Sequence, residues 1–82
     1  MSVKELTFNV DDITFGQVEF LTDETGCSVN EVMEKLRTGA FAGRDLVVVL
    51  ALATDPDDPA RAMEEIRKTR VADIKLNIPE PE

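Results

Sequence analysis

The sequence predicts a mainly α fold: a small bundle of about four helices, preceded by a short N-terminal extended segment or strand. Three observations lead there. Two helix-start signatures, each followed by a glycine stop, stand close together between residues 13 and 39. An unbroken apolar run, Leu46 to Ala53, follows them. An Asp-Pro pair at residues 58 and 59 then opens a charged amphipathic stretch.

In chain order, residues 3 to 10 alternate, with Leu6, Phe8 and Val10 on one side. That period suits a short strand or extended arm, docked as an edge, paired with another molecule, or laid on the helices. Thr14 and Gln17 have the T-x-x-Q spacing of a capping box, with Ile13 and Val18 in the staple positions. The helix that follows is expected to bury Phe15, Val18 and Leu21, with Phe20 beside them, and to stop at Gly26. Ser28 and Glu31 repeat the signature, with Cys27 and Val32 as the staple. Val29, Val32, Met33 and Leu36 then recur at helical spacing up to Gly39. A link of about two residues between these helices requires them to fold sharply back on each other.

Residues 43 to 54 carry mixed signals. Val47, Val48 and Val49 favour a strand; Leu50, Ala51, Leu52 and Ala53 favour a helix. Asp45 near the start complements a helix dipole, so a central helix over 43–54 is expected. Asp58 caps the next helix, with Pro59 at its first position. Met63, Ile66 and Arg70 are expected on one face, with Ala62 alongside. Past Val71 the pattern changes to the alternation of Ile74, Leu76 and Ile78. One domain results: an arm over 1–12, a helical core over 13–72, and an extended, partly disordered tail over 73–82.

The chemistry is sparse. Without histidine, Ser-His and Cys-His nucleophile pairs are excluded. Cys27 stands alone, so it makes no internal disulfide, and its staple position suits an inert packed thiol. The acids at Asp55 and Asp57 have the spacing of a calcium loop, but the loop's glycine and glutamate positions hold Ala60 and Ile66. Residues 39–43, GAFAG, lack the lysine and hydroxyl of a phosphate loop. Adjacent Glu64 and Glu65 diverge on a helix. The two pieces nearest to a phosphopantetheine attachment motif each lack one of its residues, the aspartate near Ser28 and the serine near Asp45. The sequence therefore predicts no enzyme, no metal site and no cofactor.

Seventeen acids against nine bases give a net charge of −8, which disfavours nucleic acid and anionic membranes as partners. The eight-residue apolar run is far below the about 20 residues that span a bilayer. The N-terminus lacks the apolar core of a signal peptide, and a soluble, cytoplasmic chain is expected. Residues 1–34 carry eight acids and one base, and residues 35–82 nine acids and eight bases. Head-to-tail association would bring the acidic half of one copy near Arg61, Arg67, Lys68 and Arg70 of the next.

The order DDITFGQVEFLTDETGCSVNEVMEKL, then LVVVLALATDPDDP, then a charged helix, resembles tail assembly chaperones of long-tailed phages and prophages. The resemblance covers residues 11 to 72. It is carried by the Ile13-Thr14-Phe15-Gly16-Gln17 turn, the Thr25-Gly26 break and the Ala/Val-rich segment ending in the proline turn. Gln17 stands where members commonly have an acid. The resemblance implies a helical protein that binds the tape measure protein and keeps it soluble in the host cytoplasm. It also implies the tail tube protein as a second partner and, in many members, a longer frameshifted form; self-association into multimers is expected from the charge asymmetry of the two halves. The candidate partner or self-association residues are Arg61, Arg67, Lys68, Arg70, Phe41 and Val48. Two other functions fit the composition: a small acidic regulator that occupies a basic protein surface, and a structural component of a phage-like particle.

Overall fold

The computed structural model describes residues 3–78. Four helices and two short strands follow one another: β1 (Lys4–Thr7), α1 (Phe15–Thr25), α2 (Val29–Thr38), α3 (Gly43–Thr54), α4 (Pro59–Lys68) and β2 (Ile74–Asn77). Short 3-10 turns at Val10–Asp12 and Val71–Asp73 join the strands to the helical part. The protein is thus a small helical bundle with a two-stranded parallel sheet.

Local hydrogen bonds set the helix ends. At α1 the capping box is complete: the Gln17 amide donates to Thr14 Oγ1 at 3.2 Å, and the Thr14 amide donates to Gln17 Oε1 at 3.1 Å. At α2 only half of the expected box forms. The Glu31 amide donates to Ser28 Oγ at 3.2 Å, while the Glu31 side chain does not return the bond. Gly26 (φ 71°) and Gly39 (φ 80°) end the two helices in the left-handed conformation that a side chain would strain. Three residues, Gly26 to Ser28, make the link between them.

Helix α3 starts at Ala42, which has no side-chain acceptor of its own. Asp45 supplies one by reaching back to the Ala42 amide at 3.0 Å. The valines of α3 are accommodated because the helix is covered on several sides: Val48, Val49 and Ala51 have no exposed surface. Tertiary burial overrides their strand propensity here. Helices α1 and α4 both pack on α3. Gln17 Nε2 donates to the Pro56 carbonyl at 3.3 Å, and Arg44 pairs with Glu24 at 3.7 Å. The start of α1 therefore lies at the end of α3, so the two run antiparallel. The turn through Asp55–Asp58 reverses the chain into α4. Leu6 and Phe8 from the N-terminal segment join Leu21, Val32, Met33, Leu52, Ala62, Met63 and Ile66 in the same core.

Several expectations are corrected. Of the alternatives for the N-terminal segment the short strand forms, and its partner is within the chain rather than another molecule. Leu6 pairs with Leu76 in a parallel register running from Lys4↔Ile74 to Thr7↔Asn77. The Phe8 amide extends the ladder to the Asn77 carbonyl at 3.0 Å. Residues 74–77, expected to be extended, form a paired strand, and residues 79–82 of the expected tail lie outside the described residues. Phe15 is 94% exposed, not buried. Six residues before the fully buried Leu21, it lies about 120° around the helix from it. Arg70 is not on α4, which ends at Lys68, with Thr69 already extended. The helical part ends there and in the 3-10 turn after it, not in one helix running on to Val71.

Candidate interaction surface

The most distinctive surface feature is an apolar groove of ≈ 410 Å³ at the open end of the α3–α4 hairpin. Leu50 and Ile66, both nearly buried, contribute to it, and Leu46, Val47, Ile74 and Leu76 line it half-buried. Val71 lines it too, 85% exposed, and Arg67 and Arg70 supply its charge. The groove exists because α4 stops at Lys68. The chain then leaves along the 3-10 turn and returns as β2, so the first half of α3 is covered incompletely.

The two arginines differ. Arg70 is held by Asp73, with Nε at 3.1 Å from Oδ2 and Nη2 at 3.4 Å from Oδ1. Among the described residues Arg67 enters no ion pair. Its guanidinium is exposed and placed beside apolar side chains, where a partner's carboxylate or aromatic ring can meet it.

The expected contact residues separate on this surface. Arg67 and Arg70 are brought together in the groove. Lys68 is exposed but does not line it, and Arg61 lies in the first turn of α4, about 9 Å along the helix from Arg67. Phe41, 37% exposed, precedes α3 and is not part of the lining. Val48 is fully buried and belongs to the core, so it is unavailable to a partner. It lies one residue from the groove-lining Val47, and a rotation of about 100° per residue separates the two roles. The sequence pattern places Leu46, Val47, Ile74 and Leu76 in their elements but marks neither them nor Val71 as groove-lining. The exposed valine just past a charged helix was the one available signal.

A second depression, ≈ 480 Å³, lies between α1 and the turn before α4. Its lining includes Glu19, Asp23, Glu24 and Asp57, together with Phe20, Pro56 and Pro59. The two concavities thus carry opposite charge.

Elsewhere the polar chemistry is structural. Lys35 Nζ donates to Cys27 Sγ at 3.0 Å and lies 3.8 Å from Asp45 Oδ2. Its pKa is raised, first by the hydrogen bond to Cys27 and the charge interaction with it; burial opposes this, and Asp45 and Glu31 add lesser upward effects. Asp55 and Asp58 spend their carboxylates on the turn: Asp55 accepts from the Asp58 amide and Asp58 from the Arg61 amide. Among the described residues no group of three or more Cys, Asp or Glu is placed to hold a metal ion, and no helix is long and apolar enough to cross a membrane. Comparison of the chain with family models, with curated proteins and with solved structures finds no match.

Proposed function

We propose that this chain is a tail assembly chaperone of a long-tailed phage or prophage, which binds the tape measure protein in the host cytoplasm and holds it soluble. The observation that carries this reading is the groove. An amphipathic helix laid into it would bury apolar side chains against Leu46, Val47 and Leu76, while Arg67 and Arg70 meet acids on its flank. A long helix-rich partner offers such faces repeatedly, so several copies can occupy one tape measure chain, each through its own groove. The resemblance over residues 11–72 supplies the partner's identity, and the tail tube protein is the competitor expected to displace the chaperone.

Co-expression with the tape measure gene, followed by fractionation and sizing, tests this. The expected result is a soluble tape measure protein that co-elutes with several copies of the chain. Val71→Glu combined with Arg67→Glu should abolish co-elution without unfolding, because both side chains are exposed. A tape measure protein equally soluble with and without the chain, and no co-elution, ends the chaperone reading. The acidic depression at Glu19, Asp23, Glu24 and Asp57 favours a second reading, a regulator that covers a basic protein surface. Charge reversal there would disable the regulator and spare the chaperone.

A further inference from the structure

Phe15 opens α1 and is 94% exposed, more than Val71, Val3 or Phe41. Its surroundings are acidic. Asp11 and Asp12 precede it in the 3-10 turn, and Glu19 lies one turn on along the same helix face, all three exposed. The chain has no basic residue between Lys4 and Lys35. An aromatic ring with an acidic collar is the complement of an apolar groove edged by Arg67 and Arg70.

The ring cannot enter the groove of its own chain. Gln17 holds the start of α1 at Pro56, beside the turn between α3 and α4. The groove takes in Gly43, Leu46 and Val47 at the beginning of α3 and Arg67 at the end of α4. Along α3 the lining runs from Leu50, about 6 Å from the Thr54 end, to Gly43, about 17 Å from it, and Phe15, 94% exposed, is not part of that lining. The complementary ring must come from a different molecule.

We infer that Phe15 of one copy docks in the groove of a second copy, and that this contact caps the groove until a partner helix displaces it. The inference rests on the proposed function only in taking the groove as a binding site; it is independent of the partner's identity. A buried aromatic anchor with flanking charge pairs is the usual centre of a small interface. The capped state shields a mainly apolar concavity from indiscriminate association. It also makes partner binding a competition, so removal of Phe15 should tighten partner binding as it loosens self-association.

Sedimentation of the full chain tests this directly. The wild type should associate as concentration rises, and added salt should weaken it. Phe15→Ser and the double variant Arg67→Glu/Arg70→Glu should each associate about tenfold or more weakly. Mixed, the two should form a complex again, since one retains the groove and the other the ring. The chain has no Trp or Tyr, so Phe15→Trp adds a single reporter at the contact. Its emission should shift to the blue on association and stay red-shifted when Arg67→Glu/Arg70→Glu is added to the same chain. A wild type monomeric at every concentration, a Phe15→Ser variant that associates like the wild type, or an unmoved tryptophan during association would each overturn the inference. Tape measure co-elution does not enter these outcomes. Its loss with self-association intact counts against the proposed function alone, and the converse against this contact alone.

Discussion

Asp45 is, among the described residues, the one buried charged side chain, 3% exposed, and replacing it by alanine should destabilise the fold by about 2 kcal/mol. The magnitude has three parts. Its carboxylate accepts from the Ala42 amide at 3.0 Å, a charge-assisted bond of about 1.5–3 kcal/mol. It sits in the first turn of α3, where a negative charge gains about 0.3–1 kcal/mol from the helix dipole. Against these stands the desolvation of the carboxylate, which alanine relieves. The Lys35 ammonium adds little at 3.8 Å, because that side chain is 36% exposed and screened by solvent. Asp45→Asn keeps an acceptor for the Ala42 amide and loses only the charge, so it should fall between wild type and alanine. Urea denaturation followed by far-UV circular dichroism gives both differences. An Asp45→Ala protein within about 0.5 kcal/mol of wild type would show that α3 is held by burial alone and that the carboxylate is incidental.

Three further outcomes are expected. Thr14→Ala and Ser28→Ala should each cost about 0.5–2 kcal/mol in denaturant melts. Gln17→Ala should also be costly, whereas Glu31→Ala should be nearly silent because its side chain does not complete the box; equal effects at the two sites would contradict the geometry. Val48→Asp should leave no cooperative unfolding transition, since it places an unpaired charge at a position with no exposed surface; a folded variant by circular dichroism would refute this. Because the folded-state pKa of Lys35 is raised above 10.5, its stabilising contribution is complete below about pH 10.5 and lost as pH rises through the folded value. Cys27→Ala removes the leading cause, so in urea melts it should lower stability at neutral pH and shrink the alkaline decline by the same amount; an unchanged decline would assign it elsewhere.

The helix starts and stops were legible in the sequence because each is written within four residues. Thr14 finds Gln17, Asp58 finds Arg61, and Gly26 and Gly39 need only their own backbone. The bounds of α3 followed from the same local logic at Asp45, against the strand preference of its valines. Reading faces across several turns was less secure. Phe15 and Leu21 look equivalent at a spacing of three, three and then drift apart by a third of a turn. Pairing between ends could not be read at all. Leu6 and Leu76 are neighbours only in space, and a strand of four residues gives too little pattern to name its partner. The groove is hidden for the same reason, since it is assembled from the first half of α3, the end of α4 and β2.

The parallel pairing of β1 with β2 also fixes when the fold can be finished. The first strand is synthesised before the four helices, yet the segment that completes it is made only after all of them. Until then its backbone edge is open to any extended chain nearby. Closing a loop of this length costs about 4 kcal/mol of chain entropy, so the sheet cannot nucleate folding and must follow the hairpin of α3 and α4. Nascent chains stalled before residue 74 should therefore have helices but a vulnerable beginning, cut by proteases between Lys4 and Val10. Release of residues 74–77 is then the event that closes the sheet over the helices made before them.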